Sequence, residues 1–596
     1  MFARPSPSPT TFRPRAVWFV TLLTTGIAAS TAFAQPAALK PDALPIAETV
    51  SITALPRPSD QGHNARLDVR YEKGQRLPER IELQVQDRPV YLQRDPRDPD
   101  AYAGTIPFDF DRFVAEQARR KSLAAQGKAP VFHGREIVDH RPVAFLDPAT
   151  LTRQIGAGTP IRIPKDVVTG TAGLLSAERS LMVVHPLVVE DPTRTFDACT
   201  NAGNPTGVWT FAHLMSEMAN QPLTGIDPAD FVEDWLKSWV NTAFVNSFEI
   251  TERDLIINSV INPWPRDGSG RLKLEQSPMR LLAIVNRVDL RKNAVYGGGS
   301  AGEGRFVFGI MRRLPGGGCA LMRSTVILEY GVPIRGCTAV QDYGTQWHAL
   351  DGLPLGSPAY NAALEDITVQ FTKANAAPGK PNGSAINQIR TNENALDPLW
   401  ELREFGLDGS SHLLVLKSTE MTPHRPTYNP FPAPHTTTLL ADFINTNEAA
   451  ILAGTYTVPD TFLGQPFLTG SSLNPSTSPS FVWKHPGVSN NEARHLFSLN
   501  TCDSCHGGET GTTTFLHVEP RSMGSQAGLS RFLTGSPGSV ASPGTFTMPD
   551  PVSGVPRTFG DLLHREADLD ALVSMSCPSG GLVGGLFATV SAAKTH

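Results

Sequence analysis

The stretch MRLLAIVNRVDL, residues 279–290, sets the reading of the fold, because its apolar run is bounded by polar turn residues and is followed at short range by similar runs. These are GRFVFGIMRR (304–313) and STVILEYGV (324–332), with HLLVLKSTEM (412–421) further on. Aromatic and β-branched residues dominate them, as expected of strands half buried in a sheet. Strands that succeed one another through short links predict antiparallel pairing. Helical patterns interrupt the strands. In IDPADFVEDWLKSWV (226–240), Asp227 suits an N-cap, Pro228 the first helical position, and Phe231, Val232, Trp235, Leu236, Trp239 and Val240 one apolar face. Ser357 and Pro358 open a second helix by the same logic, and 437–453 reads as a third. Residues 141–468 are therefore expected to form a central mixed α/β region, a helix-flanked antiparallel sheet of α+β type.

Working outward, the segment 45–140 alternates with period two. Leu67, Val69 and Tyr71 interleave with polar residues, as do Ile81, Leu83 and Val85, and turn chemistry falls at Gly74 and in RDPRDPD (94–100). This pattern predicts an N-terminal β-sandwich. On the other side, TGSSLNPSTSPS (469–480) has the composition of a linker, placed at 469–484. It would separate a C-terminal unit, 485–596. The fold class expected is multidomain α+β.

With 596 residues, 40% of them hydrophobic and 18% charged, the composition is that of folded globular domains rather than of a disordered or polytopic membrane protein. The first residues carry Arg4, Arg13 and Arg15, then the run AVWFVTLLTTGIAASTAFA, ending in the A-x-A pattern Ala32-Phe33-Ala34. That is the form of a signal peptide over 1–34, so export to a periplasmic or secreted location is expected, with no stable membrane span after cleavage. The net charge is −5, and loss of those three arginines takes it to −8, which excludes a global attraction for nucleic acid or anionic lipid. Six cysteines in an exported chain imply disulfides. Setting aside Cys502 and Cys505, the pair Cys319 and Cys337 is favoured, since closing so short a loop would contribute about 3 kcal/mol. Cys199 and Cys577 follow only by elimination.

Several motifs fail on context. GGGSAG (297–302) matches G-x-G-x-x-G but leads into a strand-like run instead of a helix. AIVNRVD (283–289) resembles a guanine-reading segment, yet the chain has no phosphate-binding P-loop, so Asn286 and Asp289 read as turn residues at a strand end. Glu303, between two glycines, reads as a lone carboxylate on a loop, and one carboxylate is not a mechanism. His213, His348, His412 and His424 have no partner at metal-ligand spacing.

The motif that stands is in LNTCDSCHGGET (499–510), where Cys502, Cys505 and His506 have the spacing C-x-x-C-H. Cysteines three apart lie on one face of a helical turn, where both can form thioethers to haem vinyl groups while the adjacent imidazole reaches the iron. Ser489 is expected to cap the preceding helix, whose Ala493, Leu496 and Phe497 face a core. From here to the chain end, with a closing helix at 559–574, the region resembles the class I c-type cytochromes: a small, mostly α domain with one haem c. The resemblance implies Cys502 and Cys505 as attachment residues and His506 as proximal ligand. For the distal ligand it implies Met548, followed by proline in TFTMPDP, with His517 as the rival and Met523 a third option. The rest of the chain resembles uncharacterised exported bacterial proteins, which implies no activity. The function expected is electron transfer with an unknown redox partner protein, with no defined enzyme activity assigned. The alternative is an exported binding or scaffold protein whose C-x-x-C-H is structural or holds no haem, as in a redox dithiol, a zinc site or a plain disulfide.

Overall fold

The alternating pattern near the N-terminus folds as strands: β1 (Ala47–Ala54), β2 (Asn64–Tyr71), β3 (Arg80–Val85), β4 (Arg88–Asp95) and β5 (Asp98–Pro107). The computed structural model describes residues 47–55, 64–71, 80–85, 88–108, 130–133, 136–140, 148–156 and 160–162, with isolated positions between 110 and 118. From residue 176 it describes the chain to 574, and Cys577, apart from 293–299, 398, 431–432, 476–480, 513 and 515. The candidate signal peptide, the glycines at 297–299 and most of the helix-like stretch 116–128 lie outside these residues.

With β8 (Ile161–Arg162), the first five strands make one six-stranded antiparallel sheet in the order β3-β4-β5-β2-β1-β8. The expectation was a sandwich over 45–140; among the described residues the first five strands lie in this one sheet, and the last two of that stretch, at 130–133 and 136–140, belong to a second, smaller sheet. Leu67, Val69 and Tyr71 do point to one side, where they meet Leu92, Tyr102, Ile106, Phe108 and Phe110 in a core of their own. Arg66 and Asp68 point to the other side and pair with each other.

The central sheet is larger. Its strands are β9 (Met182–Val183), β10 (Met279–Arg287), β11 (Glu303–Arg313), β12 (Cys319–Gly331), β13 (Ile386–Glu393), β14 (Leu399–Leu407), β15 (Leu414–Lys417) and β16 (Ser471–Pro475). Their order is β15-β14-β13-β12-β11-β10-β9, all neighbours antiparallel, and β16 pairs with the first half of β14. The stretch read as a linker thus contributes β16 to the sheet. Its serines and asparagine look like linker composition, yet their backbone completes the unpaired edge of Leu399 to Arg403.

Two residues per repeat give this sheet two different faces. One row reads Ile284, Phe306, Leu328, Ile389, Phe405 across five strands by direct pairing. Helices α1 (Phe211–Ala219), α2 (Pro228–Lys237), α3 (Cys337–Ala349) and α4 (Pro358–Thr372) follow. Phe405 meets Trp235 and Trp239 of the α2 segment, Phe306 meets Phe371 of α4, and Phe308 meets Phe211 of α1. The α4 contact is close enough that a Cβ on Gly304 would come within 2.2 Å of the Phe371 ring, so only glycine fits there. The expected caps hold: Asp227 accepts from the Ala229 N–H at 2.9 Å and Ser357 from that of Tyr360 at 3.2 Å. The other face carries Val285, Arg305 and Glu329 in one row and Val307, Ile327 and Arg390 in the next.

That second face is covered by the C-terminal segment. After α5 (Leu439–Thr446) and α6 (Glu448–Leu452) come α7 (Asn491–Leu499), the short α8 (Cys502–Cys505), α9 (Arg531–Thr534), strands β17 (Phe546–Pro549) and β18 (Pro556–Phe559), and α10 (Asp561–Ser574). β18 also pairs with β7 (Glu136–His140), which pairs with β6 (Pro130–His133). Leu499, Cys505, Phe532, Phe559, Leu562 and Leu569 share a single core with Val285, Val307 and Met182 of the sheet. No helix among the described residues is long and apolar enough to cross a membrane.

The disulfides correct the favoured pairing. The structure joins Cys199 to Cys319 and Cys337 to Cys577, with Cα separations of 5.6 and 5.7 Å. Cys319 opens β12, a strand of 13 residues, before the chain reaches Cys337 at the start of α3. At about 3.3 Å per residue such a strand spans roughly 40 Å, far beyond disulfide reach. Counting the loop in residues took no account of its being stretched straight.

Candidate functional site

Helix α7 begins at Asn490, whose side chain accepts from the Glu492 and Ala493 N–H groups at 2.9 and 3.4 Å; this residue, not the neighbouring Ser489, is the cap. Every residue from Ala493 to Leu499 is buried. One further turn carries the C-x-x-C-H motif. The Cys505 N–H donates to the Thr501 carbonyl and that of His506 to the Cys502 carbonyl, each at 2.9 Å. Groups from the sheet edge and from the loops beside it hold this turn in place. The Cys502 N–H donates to Thr422 Oγ1 at 3.0 Å, the Asp503 carbonyl accepts from Asn474 of β16 at 3.2 Å, and Trp483 Nε1 donates to Asp503 Oδ1 at 2.9 Å.

Both cysteines are buried thiols. Burial pushes the Cys502 thiol well above its ordinary value, against the pull of Arg390, so it is a poor thiolate. Cys502 packs with Trp400 and Leu402 of β14. His506 stacks on the Trp400 indole, ring centroids 5.3 Å apart and planes 28° from parallel, which fixes the plane of its imidazole. The Trp400 Nε1–H is itself 3.3 Å from Asn392 Oδ1 on β13.

His517 comes to the same place from the loop after the motif. Its Nδ1 is 2.8 Å from Ser530 Oγ, its Nε2 is 3.6 Å from Cys505 Sγ, and its ring centroid is 4.4 Å from that of His506. When Nδ1 donates to Ser530, Nε2 carries the lone pair, the arrangement in which an outer partner sets a ligating tautomer. Met548 lies elsewhere, on β17, where its sulfur sits beside Gly511: a Cβ built on that glycine would come within 3.1 Å of it. Met523 is 38% exposed.

His506 and His517 share one wall of a cavity enclosing about 630 Å³ not filled by protein atoms, part of it open to solvent. Val518, Leu533 and Arg565 complete that wall, and the opposite wall is the second face of the sheet. There Met182, Val285, Val307, Ile327 and Leu402 give apolar surface, interleaved with Thr325, Asn392, Arg287, Arg305 and Arg390. Each of these arginines, and Arg565, has an acidic neighbour: Asp289 for Arg287, Glu303 and Glu329 for Arg305, Glu329 and Glu404 for Arg390, and Asp561 for Arg565. Burial alone would raise the Asp289 carboxyl, but the Arg287 guanidinium outweighs it and holds Asp289 below the usual carboxylate range.

Next to the motif, Glu509 and Asp550 are bridged by Arg494 at 2.8 Å to each, with Arg557 on Asp550 at 3.1 Å and His495 on Glu509. His495, Glu509 and Asp550 have the spacing of a metal-ligand set. Two guanidiniums already neutralise the carboxylates, so the cluster reads as a buried ion network that pins α7 to the loop carrying β17.

The motif residues and His517 are thus brought together, and Met548 is not in the cavity lining. Sequence reasoning missed the sheet's contribution. Glu303 is the first residue of β11, buried and paired, not a loop carboxylate. A sign was available in EGRFVF and in ELREF, where charges alternate with aromatics within strands. Asn286, read as a turn residue, is the last residue but one of β10, and its Oδ1 accepts from the Val288 N–H at 2.9 Å. Comparisons with family models, curated proteins and solved structures find no match to this chain.

The residues present fit a covalently held haem. The cavity beside the motif joins apolar side chains to the arginines of the sheet face, is backed by that sheet, and is lined by one imidazole from the motif and a second from the loop after it. The two ring centroids stand only 4.4 Å apart, so it is His506, on the motif itself, that would hold the iron, with His517 facing the same cavity.

Proposed function

We propose that this chain holds one haem c, which Cys502 and Cys505 would attach and His506 would ligate, and that it carries electrons between partner proteins outside the cytoplasm. The observation that carries this reading is the cavity shared by His506, His517 and the sheet. When bound there, the haem supplies a one-electron couple whose potential the axial ligands and the surrounding dielectric tune. The chain's own residues do the rest. The two cysteine sulfurs would anchor the group, Trp400 orients the His506 ring, and the hydrogen bond to Ser530 orients that of His517. The sheet excludes water from the face opposite the motif. His517 is the better second ligand on this geometry, because it lines the cavity and Met548 does not. Two disulfides in the described fold accord with an oxidising compartment, where covalent haem attachment takes place. The high thiol value of Cys502 weighs against the alternative of a redox dithiol.

The test is expression with periplasmic export and a haem-attachment system. A haem-stained band on a denaturing gel and a reduced-minus-oxidised difference spectrum are expected. A colourless protein overturns the proposal and leaves a binding or scaffold role.

A further inference from the structure

The sheet wall facing His506 carries a ladder of charge that simple electron transfer does not use. Arg390 in the cavity lining meets three carboxylates: Glu329 at 2.7 Å, Glu404 at 3.0 Å and Glu420 at 3.6 Å. Arg305 continues the ladder, at 3.0 Å from Glu329 and 2.6 Å from Glu303. The side chains of Glu303, Glu329 and Glu404 are at most 1% exposed, whereas that of Glu420 is 23% exposed and opens the ladder to solvent. Four carboxylates to two guanidiniums, with three of the four removed from water, cannot stay fully ionised without help. Lys417, opposite Glu404 on β15, supplies a cation near Glu420, and Lys380 reaches Glu303 through Asn387. Cys502 faces Arg390 and Glu404 from the motif side. Burial, then Glu404, push the Glu420 carboxyl up to about 8, against Arg390 and Lys417.

We propose, resting on the haem reading above, that Glu420 binds one proton from solvent whenever the haem held at Cys502, Cys505 and His506 is reduced, and releases it on oxidation. The chain then moves an electron and a proton together. One electron from an external one-electron donor turns ferric into ferrous iron, and one proton from water joins a Glu420 oxygen. The charge of the region is the same before and after. The added electron raises the affinity of a neighbouring carboxylate for protons. Arg390 is the shared neighbour, since it lines the cavity and touches Glu420, so electron and proton act on one guanidinium.

The test is the haem midpoint potential, followed by spectroelectrochemistry from pH 5 to 10 on the full exported chain. The potential should fall around pH 8, approaching 59 mV for each tenfold drop in proton concentration, and level off on either side. Glu420→Gln should remove the slope. Lys417→Gln, which takes away a cation that favours ionised Glu420, should move the sloping window to higher pH, and serves if the first variant folds poorly. A haem-containing protein whose potential ignores pH, or a slope unchanged in Glu420→Gln and unmoved in Lys417→Gln, overturns this proposal alone. A protein without haem overturns it together with the haem reading.

Discussion

His517 shows how a single side chain visible in a sequence can be ranked one way by spacing and another by the fold. In the sequence it competes with Met548, which has the expected distance from the motif and a following proline. In the structure its ring lies 4.4 Å from that of His506 and is steered by Ser530. His517→Ala should therefore alter the reduced spectrum towards an open or weakly ligated iron, with Met548→Ala leaving it unchanged; the reverse pattern moves the role to Met548. Arg494 supports a second prediction at this scale. It is buried and holds Glu509 and Asp550, and burial, which would raise the Glu509 carboxyl, is outweighed by Arg494 and His495, so Glu509 stays below its ordinary value. Arg494→Met leaves Glu509 with His495 and Asp550 with Arg557 as their remaining partners, and should cost about 3–5 kcal/mol near pH 7, read from urea unfolding. A carboxyl lowered in the fold stabilises above its unfolded value and loses that contribution as pH falls, so the gap between variant and wild type should narrow in acid. No motif announces Arg494, since a charged residue inside an amphipathic helix reads as its solvent face.

Among elements, α10 is held by an unusual pair of acids. Asp351 accepts from the Ser176 N–H at 3.1 Å and from Ser180 Oγ at 2.8 Å, and Glu566 of α10 accepts from the Ala177 N–H at 3.1 Å. Burial, against those hydrogen bonds, pushes Asp351 up to about 7, and burial together with Asp351 pushes Glu566 up to about 8. Unfolded, both titrate near 4, so between about pH 4 and these raised values the folded chain binds more protons and stability falls as pH rises. Asp351→Asn keeps an oxygen for Ser176 and Ser180 without the charge. It should be more stable than wild type at pH 8, by roughly 2–4 kcal/mol at 1.36 kcal/mol per pKa unit, and equal to it near pH 4. Thermal melts across that range check this. Helix α2, strands β10, β11, β12 and β15 of the central sheet and the closing helix were legible because each is a periodic or apolar run with its own cap or boundary. β13, β14 and β16 were not, because their charged, serine or asparagine positions are buried by pairing that only distant segments provide.

For the molecule as a whole, the cavity proposed to take the haem belongs to two parts of the chain more than a hundred residues apart. A fragment of residues 485–596 lacks the wall formed by Val285, Val307, Ile327 and Leu402 and the partner of Cys577. Expressed alone it should take up haem poorly or show an exposed, unstable spectrum; a fragment with the spectrum and unfolding midpoint of the full chain would show that the wall is dispensable. The disulfides act at the same scale, since their bridged residues are 120 and 240 apart. Reducing them in the native protein should cost about 5 kcal/mol each on the loop-entropy account, read from denaturant midpoints with and without reductant. The sequence alone was enough for the alternation of strands and helices, for the apolar faces and for C-x-x-C-H as a haem-type motif, because each depends on neighbours within one or two turns. Tertiary structure alone decided which cysteines bridge, that an apparent linker is a strand, which histidine reaches His506, and that arginines and glutamates of one sheet face line the site. Those outcomes depend on residues far apart in the chain being brought within a few ångströms, and local periodicity carries no record of that distance.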